Sequence, residues 1–314
     1  MSSQSELDRS SHPDSGLVGP HEIANEKWQM VNLGFFSCGN MISPKTNKEL
    51  AYLHELFVAN DWGERFAELI DEHVKLPEKG RALYLAAGTG GHVIALQERA
   101  NQQVIFQSID ENEESLELAR AKAAVLKDST QFLLGKVDEL TSPANQFNLV
   151  IGDGSLVHSQ RMPQMITEMV RVAAPNATVA LVLPTFSSFG EFFSIYWEAL
   201  HNCGLLDHEA DVESLINTLP SVSAVEAMAE QAGLDEIESW TRIEEFDYES
   251  EEQFLNAPLI GDFLMPIWLE TLPARSRQPV ITEIARLINE ERHEAEFALS
   301  VKATLVMGKK PLIQ

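Results

Sequence analysis

The chain has 314 residues, enough to bury one large hydrophobic core or two modest ones. Lys and Arg number 23 against 48 Asp and Glu, and the resulting formal charge of −25 argues against a nucleic-acid partner, because affinity for phosphate backbones depends on clustered cations. The two cysteines, Cys38 and Cys203, lie far apart and in no CxxC pair, so we predict neither a disulfide framework nor a bound metal.

The N-terminal part of the chain is predicted to be a disordered arm followed by a helical lid. Residues 1–20 are polar and Ser-rich and lack the apolar core of a secretory signal. Residues 21–78 make up the helical segment. From about residue 47 to 75, apolar residues recur at helical spacing and predict two helices separated near Asn60. No apolar run reaches the roughly 18 residues that a membrane helix needs, so we expect a soluble, cytoplasmic protein with no membrane partner.

The middle of the chain alternates between short apolar segments typical of strands and longer segments with helical spacing. Strands are predicted at 81–86, 103–109, 131–135, 146–152 and 177–183, and helices at 91–100, 112–127 and 161–173. This alternation implies right-handed crossovers, and hence an α/β fold with a doubly wound, mainly parallel sheet. Ligands bind such sheets beyond the carboxyl ends of the strands, so we expect the functional site there.

Helical spacing dominates beyond residue 184. Helices are predicted at 189–203, 208–217, 221–232 and up to about 293, with strand-like segments from Ile237 and in "FALSVKATLVMG". The stretches 185–220 and 248–293 are longer than simple crossovers require. We therefore predict that they are helical insertions that cover the site of one domain spanning 79–314.

The segment "ALYLAAGTGGH", residues 82–92, ends a predicted strand in a cluster of small residues and opens a helix at about Gly91. Such a turn brings main-chain N–H groups and a helix N-terminus together with no side chain in the way. Asp110 ends the next strand, where a nucleotide site has an acid on the ribose hydroxyls. Alone, the turn could merely allow close helix packing and Asp110 could merely cap a helix, but together they favour ribose binding.

Four segments resemble, in order and spacing, the class I S-adenosylmethionine-dependent methyltransferases over roughly residues 80 to 185. They are the glycine turn, "QSIDENEESLELARAKA", "LLGKVDEL" with "QFNLVIGDGSLVH", and "MITEMVRVAAPNATVALVLPT". The resemblance implies a seven-stranded sheet with S-adenosylmethionine as cofactor. It assigns the methionine part of the cofactor to Ala86, Ala87, Gly88 and Gly90, the ribose to Asp110, the adenine to Val137 and Asp138, and the amino group to Asp153.

The chain departs from the family pattern at positions that bear on the cofactor. Tyr84 stands where the family usually has an acid, and Ala86 stands where it has a glycine. Lys136 takes the position of the acid that contacts adenine, although Asp138 is near enough to replace that acid if the loop shifts. These changes imply altered cofactor geometry or, at the extreme, lost catalysis.

Methyl transfer from a sulfonium is an in-line displacement in which the protein chiefly aligns the reacting atoms. A hydroxyl acceptor needs a base, and His158, just past the fourth strand, is the candidate; the alternative is a histidine that only begins a helix. Aromatic residues in the segments that flank the site favour a partly apolar small-molecule acceptor. The sequence leaves O-, N- and C-methylation open, and it does not indicate an oligomeric state.

Two other functions compete with methyl transfer. One is an NAD(P)-dependent oxidoreductase, since Ala86-x-Gly88-x-x-Gly91 imitates the dinucleotide fingerprint, although no Tyr-x-x-x-Lys pair occurs in the sequence. The other is a non-catalytic protein that keeps the cofactor fold as a binding or scaffold module, which the departures at Tyr84, Ala86 and Lys136 motivate.

Overall fold

The structure, a computed structural model, describes residues 45–100, 103–291 and 297–312. The predicted disordered arm and the first part of the predicted helical segment, residues 1–44, lie outside these ranges. Within the described ranges, one seven-stranded sheet is flanked by helices, and no helix is both long and apolar enough to cross a lipid bilayer.

The sheet has the predicted doubly wound and mainly parallel form. Its strands are β1 (Gly80–Leu85), β2 (Val104–Asp110), β3 (Gln131–Leu134), β4 (Phe147–Asp153), β5 (Ala173–Pro184), β6 (Asp235–Tyr248) and β7 (Phe297–Lys309). Their spatial order is β3-β2-β1-β4-β5-β7-β6, and only β7 runs antiparallel to its two neighbours. The order reverses between β1 and β4, so the ligand crevice of such a sheet is expected at the carboxyl ends of these two strands.

The helices lie close to their predicted positions. In chain order they are α1 (Asn47–Leu53), π1 (His54–Gly63), α2 (Glu64–His73), α3 (Gly91–Arg99), α4 (Glu113–Leu126), α5 (Met162–Val172), α6 (Gly190–Asn202), α7 (Glu209–Thr218), α8 (Val222–Gln231), α9 (Glu251–Asn256), π2 (Leu259–Leu264), α10 (Met265–Trp268) and α11 (Ala274–Glu291), where π1 and π2 are π-helical. A short 3-10 turn, Ser159–Arg161, precedes α5.

Strand β1 shows why this sheet forms a rigid base for a site. Ala82 and Tyr84 pack into the hydrophobic cluster on one face, and Leu83 and Leu85 pack into the cluster on the other. All four side chains are at most 3% exposed. Because alternate side chains of a strand point to opposite faces, an uninterrupted apolar strand is buried on both sides, and its carboxyl end is held in place.

The N-terminal helical segment differs from the prediction of two helices separated near Asn60. The structure has one continuous helical run, residues 47–73, in which π1 joins α1 to α2. The Asn60 side chain donates to the carbonyl of Glu55 at 3.2 Å, so this polar position stays within the helix instead of ending it. π-helical segments are rare, and they occur frequently at functional sites.

The predicted roles of the N-terminal helical segment as a lid and of the two insertions as a cover for the site stay predictions. Residues 45–78 contain α1, π1 and α2, the stretch 185–220 contains α6 and α7, and the stretch 248–293 contains α9, π2, α10 and α11. Several of these helices border the candidate site, as described next.

Candidate functional site

A cleft of about 840 Å³ opens at the carboxyl ends of β1, β2 and β4, a size typical of small-molecule sites. The turn after β1 and the helical run of α1, π1 and α2 contribute much of its lining. The predicted site residues that line it are Ala86, Ala87, Gly88, Asp110, Val137, Asp153 and His158. Gly90 and Asp138, also predicted, are not part of the lining.

The glycine turn holds three residues in the left-handed region: Ala86 (φ 56°), Gly88 (φ 54°) and Gly90 (φ 78°). A Cβ on Gly88 would lie 2.7 Å from Cε1 of His54, across the cleft. A Cβ on Gly90 would lie 2.7 Å from the ring of Phe132, in the core. The absence of a side chain at Gly88 therefore leaves room in the cleft, whereas the absence of one at Gly90 allows α3 to begin close to the sheet. Ala86 has a Cβ, so its left-handed backbone conformation costs roughly 1–2 kcal/mol.

Asp110 is tied directly to this turn. Its Oδ2 accepts the main-chain N–H of Gly88 at 2.8 Å, and its Oδ1 accepts that of Asn112 at 2.9 Å. Burial raises the pKa of Asp110, and these N–H donors oppose the rise. Each carboxylate oxygen keeps a lone pair, so the side chain can still accept two hydroxyl groups from a ligand.

An ion-pair network that the sequence did not predict lies at the loop after β3. Arg161 binds Asp138 through two bonds of 2.7 Å and donates to Glu111 at 3.0 Å, while Glu111 accepts the N–H of Val137 at 3.1 Å. Hydrogen bonds from Arg161 lower the pKa of both carboxyl groups. Asp138 was predicted to contact adenine, but both of its oxygens are bonded to Arg161, and Glu111 and Arg161 line the cleft instead.

The loop after β4 brings Asp153 and His158 to the cleft. Oδ1 of Asp153 accepts the N–H of Ser155 at 2.9 Å, and burial raises the pKa of this carboxyl. Nδ1 of His158 accepts the N–H of Gln160 at 3.3 Å, and its Nε2 lies 3.8 Å from Glu270. A neutral imidazole that accepts through Nδ1 carries its proton on Nε2, so His158 has no free acceptor nitrogen while it caps this turn.

The helical run adds residues that sequence patterns did not mark as functional. The imidazole of His54 lies over Gly88 and meets the ring of Phe263 edge-on at 5.9 Å. Burial lowers the pKa of His54 to about 4, so the ring is neutral near pH 7. Nζ of Lys122, on α4, binds Glu55 at 2.7 Å. This ion pair fastens the start of π1 beside the turn.

Tyr84 does not fill the cleft, although it lines it. Its hydroxyl lies 2.9 Å from Nδ1 of His92, and Nε2 of His92 lies 3.0 Å from Oδ1 of Asp71. Tyr84 is thus the end of a chain of three side chains. Only the fold brings α2, β1 and α3 together in this way.

Three buried polar atoms of the lining have no hydrogen-bond partner in the described part of the chain: Nδ1 of His54, Nε1 of Trp62 and Oγ1 of Thr89. Such atoms are rare in folded proteins, and each costs about 1–3 kcal/mol. Together with Asp110 and the bare turn, the donor and acceptor set fits a nucleoside with a charged tail.

Part of the chain is similar in sequence to known methyltransferases. Residues 82–176 match the model of a family described as a methyltransferase domain. The demethylmenaquinone methyltransferase of Deinococcus radiodurans is 33% identical over 121 residues, which are 38% of this chain and 50% of that protein. The norajmaline N-methyltransferase of Rauvolfia serpentina is 28% identical over 118 residues, 38% of this chain and 40% of that protein. The matched region is thus half or less of each relative.

Solved structures are similar over a larger part of the chain. The YcgJ protein of Bacillus subtilis gives a TM-score of 0.53 at 16% identity, over 80% of this chain and 100% of that chain. The phosphoethanolamine N-methyltransferase 2 of Haemonchus contortus, solved with phosphomonomethylethanolamine and S-adenosylhomocysteine, gives 0.52 at 14% identity, over 85% of this chain and 59% of that one. These structures confirm the predicted fold, and the match to a methyltransferase domain covers residues 82–176 of the chain.

Proposed function

We propose that the chain is a class I S-adenosylmethionine-dependent methyltransferase, which transfers a methyl group from this cofactor to a small-molecule amine bound in the cleft. The observation that carries the proposal is the hydrogen bond from Gly88 to Asp110. It joins a bare main-chain turn to a carboxylate with free lone pairs at the floor of a cleft, which is the arrangement that a nucleoside with a tail requires.

The residues of the cleft fall into three parts along the sheet edge. Asp110, at the end of β2, would accept the ribose hydroxyls, and the turn at Ala87 and Gly88 would lie against the tail. Val137 and Glu111 would border the base. Asp153, at the end of β4, would face the amino group. When bound, the cofactor supplies a methyl group activated by a sulfonium, and the protein's task is to align it with the acceptor.

The charge of the lining favours an acceptor that is neutral or cationic. Its acidic residues are Glu55, Glu64, Glu68, Asp71, Asp110, Glu111 and Asp153. Its lysine and arginine, Lys122 and Arg161, are both ion-paired with acids in this list. A phosphorylated acceptor, such as the phosphomonomethylethanolamine bound to the Haemonchus contortus enzyme, would meet no unpaired Lys or Arg among the described lining residues.

A nitrogen acceptor also makes the smallest demand for a general base, because no side chain has to remove a proton in the transfer step. His158, the predicted proton acceptor, uses Nδ1 to cap the turn before α5, and burial keeps the pKa of His54 at about 4. An amine that enters as the free base has its own lone pair and needs neither histidine in the transfer step. Apolar side chains of the lining, Leu156, Phe263 and Ile267, suit a partly apolar amine.

Calorimetry followed by a transfer assay tests the proposal. S-adenosylhomocysteine should bind the wild-type protein, and NAD⁺ and NADP⁺ should not. Transfer of an isotope-labelled methyl group should then be measured on matched aromatic amines, phenols and carboxylic acids. Transfer to amines is expected; transfer confined to phenols or acids contradicts the acceptor class, and preferential binding of NAD⁺ contradicts the cofactor. Binding without transfer to any member of the panel would favour the non-catalytic alternative.

A further inference from the structure

The chain of hydrogen bonds that ends at Tyr84 has a defined direction. Asp71 accepts both from His92 at 3.0 Å and from Arg99 at 2.7 Å. Burial raises the pKa of Asp71, but the hydrogen bonds from His92 and Arg99 outweigh it and hold the pKa below its usual value. Asp71 is therefore a carboxylate, which can only accept, so Nε2 of His92 must be the donor.

With His92 in its neutral form, this direction determines what Tyr84 can offer to the cleft. A neutral His92 that donates through Nε2 has Nδ1 free as an acceptor, and the Tyr84 hydroxyl at 2.9 Å is the donor to it. The phenolic proton is thus directed to His92. The oxygen of Tyr84 keeps its lone pairs, so it can meet a ligand as an acceptor.

Asp153 is a second acceptor near Tyr84: Tyr84 pairs with Ile151 of β4, two residues before Asp153, and both Tyr84 and Asp153 line the cleft. Tyr84 is 3% exposed, and both burial and the nearby charge of Asp153 raise the pKa of its hydroxyl, so it remains a phenol. Asp153 forms no salt bridge with a lysine or arginine within the described ranges, and its hydrogen bonding to Ser155 leaves acceptor capacity on the carboxylate. A neutral acceptor and a buried carboxylate in one corner suit a ligand group that is positively charged and rich in N–H donors, which is an ammonium group.

The strand order indicates which ligand group reaches this corner. β1 lies between β2, which ends in Asp110, and β4, which ends in Asp153. A nucleoside whose sugar is held by Asp110 extends its tail across the end of β1, toward Asp153. Tyr84 lies on β1, so the tail passes the corner formed by its oxygen and Asp153.

We propose that Tyr84, oriented by His92 and Asp71, accepts a hydrogen bond from the ammonium group of the cofactor's aminoacyl tail, with Asp153 as the opposing charge. This inference rests on the proposed function. Tyr84 is then a contact residue that takes over from the family's acid, and His92 and Asp71 are positioning residues. Tyr84 would thus bind the cofactor in a different way from the family's acid, and its presence at this position does not imply that cofactor binding is lost.

Truncated ligands separate this role from a general structural one. Binding should be measured by calorimetry with S-adenosylhomocysteine, its decarboxylated analogue, which keeps the amine, and its deaminated analogue, which keeps the carboxylate. Tyr84→Phe removes one oxygen and keeps the ring. We expect it to weaken the two amine-bearing ligands about fivefold to tenfold, as for one lost hydrogen bond, and to change the deaminated ligand less than about twofold.

Two further variants sharpen the result. His92→Asn keeps the Tyr84 oxygen but releases its proton, so it should weaken the same two ligands and again spare the deaminated one. Tyr52→Phe is the matched control, because Tyr52 is 46% exposed and outside the cleft lining, and it should change no ligand. Circular dichroism and thermal melting verify that each variant is folded.

The outcomes distinguish this inference from the proposed function. If wild-type protein binds S-adenosylhomocysteine but Tyr84→Phe weakens all three ligands equally, or none, the role of Tyr84 is overturned and the proposed cofactor stands. If wild-type protein binds no S-adenosylhomocysteine, the proposed function fails, and this inference fails with it.

Discussion

The main-chain N–H of Gly88 donates to Oδ2 of Asp110 at 2.8 Å, which makes the turn after β1 and the acid at the end of β2 a single structural element. The two positions are 22 residues apart, and the parallel pairing of β1 with β2 brings them together. Since the carboxylate supports the turn and also faces the cleft, changes at either residue should affect ligand binding through the other.

Asp110→Asn should weaken S-adenosylhomocysteine binding by about 1–3 kcal/mol, because an amide replaces one charged acceptor oxygen with a donor. Calorimetry measures the effect. Asp128→Asn is the matched control: Asp128 also accepts a backbone N–H, that of Thr130 at 2.7 Å, but it lies outside the cleft lining. Equal affinities for wild type and Asp110→Asn would exclude the ribose role of Asp110.

Gly88→Ala should be more harmful than the same change at a glycine with similar backbone strain. Gly204 (φ 68°) has open space where a Cβ would stand, so Gly204→Ala carries only the left-handed strain, roughly 1–2 kcal/mol. Gly88→Ala adds the 2.7 Å contact with His54. Chemical denaturation should show a larger loss of unfolding free energy for Gly88→Ala, and only this variant should lose ligand affinity. Equal losses of stability would contradict the close approach of His54.

Lys122→Met should release π1 from α4 with little effect on stability. Its ion pair with Glu55 is about one-third exposed, and such pairs contribute roughly 0.2–1 kcal/mol. The expected effect is faster dissociation of S-adenosylhomocysteine, measured by stopped-flow fluorescence. Arg286→Met, which removes ion pairs on the exposed side of α11, is the control and should leave dissociation unchanged. An unchanged rate in Lys122→Met would mean that this ion pair does not hold the cleft closed.

His54 predicts a specific pH dependence of stability. Burial lowers its pKa from the usual 6.5 to about 4, so between these values the unfolded chain takes up a proton that the folded chain does not. Stability contributed by this group is therefore lost as the pH falls through this window. In His54→Gln, the slope of unfolding free energy against pH should be smaller by at most about 1.4 kcal/mol per pH unit. Parallel curves for the two proteins would show that His54 titrates normally.

The elements of this fold and the floor of its site were determined by the sequence alone. Hydrophobic spacing marked the strands and helices because it is a local property of each segment. The turn at Gly88 and the acid at Asp110 followed as well, since parallel strands present their carboxyl ends at one edge of the sheet.

Only the tertiary structure decided which side chains complete the site. Arg161 binds Asp138, His54 covers Gly88, and His92 links Tyr84 to Asp71. The position of β7 between β5 and β6 in the sheet was likewise decided only by the tertiary structure. The side-chain contacts join different helices, strands and loops, and β5 pairs with β7 through residues as far apart as Thr178 and Lys309, so no local periodicity encodes them. They depend on how the helices pack on the sheet, because the positions and angles of the packed elements decide which side chains meet.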